Sequence, residues 1–145
     1  MLSPSLEDYL EEAYRFSQMS LPIRVTDISK KLNVSLPSVT KALGKLKEKN
    51  YIIYEPYGEI ILTEQGKKLG SFLVQRNHLL QEFLSLIHSP CDTNKEAEKM
   101  EHYLSGETIK AIHKLVNFFK NHPHIYNEFL QYLEQPQDDK LIDLI

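Results

Sequence analysis

Apolar positions recur at helical spacing along most of this chain, and the spacing switches to a two-residue alternation once. Leu6, Leu10, Ala13, Tyr14 and Ser17 form a stripe that predicts a helix over residues 4–19, with Ser3 or Ser5 as cap and Pro4 tolerated at its start. Val25, Ile28, Leu32 and Val34 share one side of a short helix, capped by Thr26 and ended by Asn33. A second follows, capped by Ser35, with Leu36, Val39, Leu43 and Leu46 as its packed seam. Residues 51–55 and 59–63 are β-rich and flank Pro56, Tyr57 and Gly58, which is a hairpin signal. Thr63 then caps a long helix over 64–87, with Leu69, Leu73, Leu80, Phe83, Leu84 and Ile87 inward; polar residues 75–78 interrupt it. After a loop at 88–93 come three helices over 94–104, 106–121 and 124–134, and a tail at 137–145 that either docks or frays.

Two short helices, a turn and a hairpin are the pattern of a winged helix-turn-helix. The expected fold is therefore mainly α: an N-terminal winged helix-turn-helix with a two-stranded wing, a long connecting helix, and a C-terminal all-helical dimerisation domain. The expected division is 1–70 for DNA binding and 71–145 for metal binding and dimerisation, the connecting helix spanning the boundary. The dimer follows from Ile109, Ile112, Leu115, Val116, Phe119, Ile125, Phe129, Leu130 and Leu133, more apolar surface than three short helices bury among themselves.

The outward face of the second short helix carries Pro37, Ser38, Lys41, Lys45 and Lys49, small polar groups and cations suited to a major groove. Pro37, Ser38 and Lys41 are the candidates for base-edge readout. Ser35, Thr40, Lys45 and Tyr57, the last at the hairpin tip, are the candidates for phosphate contact. A formal charge of -3 over 145 residues looks unfavourable for a nucleic-acid binder. Its distribution answers this. Residues 24–49 carry Arg24, Lys30, Lys31, Lys41, Lys45, Lys47 and Lys49 against Asp27 and Glu48, so the acid lies elsewhere.

With 41% hydrophobic and 26% charged residues, the composition is that of an ordinary soluble protein. No apolar run would span a bilayer and the start has no signal-peptide pattern, so the expected location is cytoplasmic, without membrane partners. Cys91 is the single cysteine, which excludes an internal disulfide and a cysteine-pair zinc site.

Part of the acid has a chemical reading. Glu98, Glu101 and His102 fall on one helix face, so two carboxylates and an imidazole converge at metal-ligand distance. Asp8 and Glu11 form a second acidic pair, and the long helix offers Asn77 and His78. Such a set suits manganese, iron or zinc; a solvated acidic face is the alternative. An enzyme is not expected, because neither paired Glu-x-x-His repeats nor His-Glu-x-x-His occurs. A winged-helix regulator responding to iron, zinc or an organic ligand is the competing function.

The stretches PSLEDYLEEAY, RVTDISKKLNVSLPSVTKALGKL, YIIYEPYGEIILTEQGKKLG and EKMEHYLS, in this order from Pro4 to about Ser105, carry a resemblance. The chain resembles the diphtheria-toxin-repressor family of metal-dependent transcriptional regulators, and within it the manganese-responsive branch. The resemblance implies a winged helix, a helical dimerisation domain, no third SH3-like domain, and Asp8, Glu11, Glu98, Glu101 and His102 as metal ligands. It also implies that Asp8 and Glu98 set selectivity, since iron-responsive relatives carry methionine and cysteine there. Mn2+ is the implied cofactor, up to two per subunit, with Fe2+, Zn2+, Co2+ or Cd2+ as substitutes and no organic cofactor. The implied partner is a palindromic double-stranded operator, and the implied output is repression of manganese-uptake genes.

One position departs from the family pattern. Asn77 stands where the family has a histidine ligand, and the histidine is displaced to His78, about 100° further round a helix. Asn77 ligating through its amide oxygen, a helix adjustment bringing His78 inward, and a weakened or absent metal position are the three readings.

Overall fold

The structure, a computed structural model, describes residues 1–136; the predicted tail at 137–145 lies outside the described residues. The first helix, α1 (Pro4–Gln18), starts where Ser3 Oγ accepts the Leu6 amide and Pro4 occupies the first turn. Its buried side is wider than the predicted stripe. Tyr9 and Glu11 join Leu6, Leu10 and Ala13 inside.

The helix-turn-helix is α2 (Val25–Leu32) followed by α3 (Leu36–Glu48). Asn33 ends α2 in the left-handed conformation at φ 53°, a geometry asparagine accepts more readily than most residues. Ser35 caps α3 by accepting the Ser38 amide. Two expectations fail here. Thr26 is not the cap of α2: the helix begins two residues earlier than such a cap requires, Arg24 occupies the cap, and no side chain caps it. Leu36 does not pack inward with Val39, Leu43 and Leu46; it is the first residue of α3 and 47% exposed, and the helix enters the core only at Val39.

The wing is β1 (Ile52–Ile53) paired antiparallel with β2 (Ile61–Leu62), in the register Ile52 to Leu62 and Ile53 to Ile61. It is shorter than the β-rich runs suggested. Between the strands Pro56 has no donor and Tyr57 takes a positive φ of 61°, so the ladder does not extend to the tip. An isolated bridge from Ile23 to Ile60 ties the entry of α2 to the wing.

Thr63 caps α4 (Glu64–Leu86), which packs against both α1 and α5 (Thr93–Glu101). Asp92 caps α5, which ends three residues before the predicted stop, with His102 as its C-cap. Then come α6 (Gly106–Asn121), capped by Ser105, and α7 (Pro123–Glu134).

Two apolar clusters form. One joins Leu10, Ile28, Val39, Leu43, Leu46, Ile52 and Leu62 with Leu73 of α4; the other joins Leu80 and Leu84 of α4 with Ala97 and Ile109. The long helix thus serves both cores, and its buried polar residues Arg76 and Asn77 lie between them. Close approach at two glycines fixes its placement. A Cβ on Gly66 would fall 1.9 Å from the Tyr51 carbonyl oxygen, and one on Gly70 would fall 2.6 Å from the Tyr14 Cβ. In α6 and α7, Leu115, Phe118 and Leu133 remain exposed, and no residue of α7 is buried.

Candidate metal centre and nucleic-acid interface

The seam between the two cores is polar because α1 and α5 bring acids to it and α4 brings an amide and an imidazole. Asp8 and Glu11 come from α1, Asn77 and His78 from α4, and Glu98 and Glu101 from α5; all six line one cavity of about 340 Å³, with Glu12, Arg15, Lys31, Leu32, Gln81 and Asn94 completing its wall. Asp8 and Glu101 of this lining, with His102 beside them, each offer a ligand atom, and these atoms lie within 4.8 Å of one another. His102 Nε2 is 3.0 Å from Asp8 Oδ1 and 3.6 Å from Glu101 Oε1. An imidazole nitrogen and two carboxylates, drawn from α1 and the end of α5, at this spacing are the kind of donor set that suits a divalent cation of borderline or hard character.

Electrostatics mark the same place. Glu101 is 2% exposed, and burial pushes its carboxyl up to about 7, with Glu11 adding to the rise while the Asn77 hydrogen bond opposes it. Asp8 is also raised, chiefly by desolvation, with Glu11 and Glu98 adding to it and His102 opposing. Glu12, on the cavity wall, is raised by burial as well, and Lys31 of α2 offsets this. Acids held uncomfortably together in a cleft are a common mark of a cation site.

The remaining predicted ligands stand around this nucleus rather than in it. Glu11 is buried, and its Oε1 accepts from Arg15 at 2.7 Å. Glu98 and His78 are exposed at the cavity wall. Asn77 is 5% exposed; its Nδ2 donates to Glu101 Oε2 at 3.0 Å, and its Oδ1 accepts from Gln81 Nε2 at 2.7 Å. The amide oxygen, a ligand in one of the three readings of this position, therefore faces Gln81, and the amide nitrogen holds a carboxylate of the site.

One functional candidate was missed from sequence. Glu7 Oε2 lies 2.9 Å from His102 Nδ1 and also accepts from Arg76 Nη2 at 2.8 Å. The only sequence signal was that Glu7 shares a face with Glu11 four residues on; its partners lie 69 and 95 residues away.

The expected DNA-facing residues are all exposed: Ser35 at the cap of α3, Pro37, Ser38, Thr40, Lys41 and Lys45 on the helix, and Tyr57 at the wing tip. Three hydroxyls are engaged with their own helix or its cap. Ser35 Oγ lies 2.8 Å from Ser38 Oγ, and Thr40 Oγ1 donates to the Leu36 carbonyl at 3.1 Å. Lys47, nearby, pairs with Glu55 of the wing at 2.8 Å.

Comparison with known proteins gives concordant results. Residues 1–60 match the family model described as iron dependent repressor, N-terminal DNA binding domain, and residues 63–130 match iron dependent repressor, metal binding and dimerisation domain. The chain is 42% identical over 124 residues to the HTH-type transcriptional regulator MntR of Listeria monocytogenes serotype 4a, covering 85% of this chain and 87% of that protein. It is 43% identical over 123 residues to the MntR of Bacillus pumilus, covering 83% and 84%. Among solved structures, that of the manganese regulator SloR superposes with a TM-score of 0.70 at 28% identity, over 81% of this chain and 55% of that one, so the chain spans about half of SloR's length.

Proposed function

The chain belongs to the iron-dependent repressor family of transcriptional regulators, and from that premise we propose that it is a manganese-responsive repressor whose cation site controls the docking of the DNA-binding lobe. It is a DNA-binding regulator and not an enzyme, with a domain for metal binding and dimerisation. The observation that carries the reading is the convergence of Asp8 from α1 with Glu101 and His102 from α5. One ion held there would join the N-terminal lobe to the C-terminal one. In this reading residues 1–70 bind DNA, residues 71–145 sense metal and dimerise, and the protein acts in the cytoplasm.

The donor set fits the group. Two carboxylates and an imidazole, with no thiolate near them, favour Mn2+ and similar ions over softer ones. A bound cation would supply the positive charge that offsets repulsion among the clustered carboxylates. The chain's own residues do the rest. Asn77 holds Glu101 from α4, so the Glu101 carboxylate is oriented from behind. Asp8 reaches across from α1, whose other side is part of the core containing Ile28, Val39 and Leu43, so restraint on α1 is passed to α2 and α3 by packing. In a dimer this narrows the spacing and orientation of the two copies of α3, allowing both halves of a palindromic operator to be met together. Metal and DNA then raise each other's affinity, as linkage requires. Manganese-uptake genes are the proposed targets, Pro37, Ser38 and Lys41 the base readers, and Ser35, Thr40, Lys45 and Tyr57 the phosphate contacts.

The test is operator binding by the purified protein, with Mn2+ and with a chelator, at fixed salt. Binding tightens at least tenfold with Mn2+ in this mechanism, at a coupling of about 1.4 kcal/mol or more. Equal affinity under the two conditions would refute it.

A further inference from the structure

We infer that Glu7 is the positioning residue of the metal centre: it holds the His102 proton on Nδ1, so that Nε2 presents its lone pair to the site shared with Asp8 and Glu101. The inference rests on the proposed metal function of that site and adds a residue to it. A carboxylate only accepts hydrogen bonds, so the 2.9 Å contact between Glu7 Oε2 and His102 Nδ1 requires the hydrogen on Nδ1. The other ring nitrogen faces Asp8 Oδ1 at 3.0 Å and Glu101 Oε1 at 3.6 Å, and is the one that a cation held by those two carboxylates would meet in place of a hydrogen. Imidazoles that bind metal through one nitrogen are oriented by the acceptor on the other.

Glu7 is itself held. Arg76 donates to the same Oε2 at 2.8 Å, and Arg76 is 7% exposed with its Nε unpartnered among the described residues, so Glu7 is the ion pair that this buried guanidinium has. Two donors on one oxygen leave Oε2 no part in coordination, which separates Glu7 from the neighbouring Asp8. The chain of contacts runs from Arg76 on α4, through Glu7 on α1, to His102 at the end of α5. Each of the three helices thus contributes one group, and the imidazole is set only when α1 and α4 are docked.

The probe is Zn2+, which is diamagnetic, read by long-range 1H–15N correlation of the histidine rings, together with Mn2+ affinity measured by calorimetry. In the zinc-loaded wild type, His102 keeps its proton on Nδ1 and the metal-induced shift falls on Nε2. Glu7→Gln retains an Oε1 that accepts from both Arg76 and His102, and its Mn2+ affinity stays within about threefold of wild type; Glu7→Ala loses about 10- to 100-fold and the single tautomer. Thermal unfolding with chelator reports whether either variant remains folded, since Glu7→Ala strands Arg76. Should Glu7→Ala not fold, the wild-type spectrum and Glu7→Gln decide. Metal on Nδ1, wild-type affinity in folded Glu7→Ala, or a tenfold loss in folded Glu7→Gln overturns the inference. A wild type that binds neither ion overturns the metal-centre reading itself, a separate result.

Discussion

Replacing Glu101 by glutamine separates the cost of the proposed metal site from its use. In the metal-free protein this carboxyl is 2% exposed and its pKa stands at about 7, against 4.5 in the unfolded chain. The folded state therefore binds the extra proton between those values. The contribution of this group to stability is fully present below pH 4.5, falls as pH rises, and is lost once pH passes about 7. At 1.36 kcal/mol per pH unit the difference amounts to about 3 kcal/mol at pH 8 and below about 1 kcal/mol at pH 5. Glutamine cannot ionise, and its Oε1 can still accept from Asn77 Nδ2, which bonds Glu101 at 3.0 Å. Urea denaturation with chelator, at matched protein concentration because the subunits dimerise, measures the effect. Glu101→Gln is expected to exceed wild type by up to about 3 kcal/mol at pH 8, on the order of 10 °C in Tm, and by little at pH 5. With Mn2+ added the order reverses, since only the wild type gains from the ion. A gap of the same size at both pH values, or none at pH 8, would show that burial of this carboxylate is not what the site costs.

Other outcomes follow from the same geometry. Mn2+ affinity of the wild type is expected to rise as pH increases up to about 7, because Glu101 must release its proton to bind, and a flat titration profile would contradict this. Lys45→Ala should weaken DNA binding about equally on all sequences and lower the slope of log affinity against log salt by about 0.9, while Lys41→Ala or Ser38→Ala should alter sequence preference; a selection experiment on random duplexes tells them apart. Gly66→Ala should destabilise the fold by more than about 2 kcal/mol, since its Cβ would meet the Tyr51 carbonyl oxygen at 1.9 Å; unchanged chemical denaturation would mean that the wing does not rest on α4.

Much of the architecture was legible because it is dictated locally. Ser3, Ser35, Thr63 and Ser105 each cap the helix expected of them, since a cap requires only a side-chain oxygen and an amide three residues on. The inward seams of α3 and α4 followed from helical spacing, apart from Leu36, whose exposure depends on where the core ends rather than on where its side chain points. Asp8, Glu101 and His102 were readable as acids and an imidazole at ligand spacing within their own helices. That α1 and α5 should face each other across α4 was beyond periodicity.

The sequence by itself determined the elements, the basic face of α3 and the chemical kinds of the candidate ligands, because spacing, caps and charge are properties of neighbouring residues. Only the tertiary structure decided which of those ligands meet. It turned the Asn77 oxygen toward Gln81 and its nitrogen toward Glu101, left Glu98 and His78 on the cavity wall, and brought in Glu7 through partners 69 and 95 residues distant. The physical reason is burial. A lone acid such as Glu7 reads as surface charge until packing removes its water and Arg76 and His102 replace it.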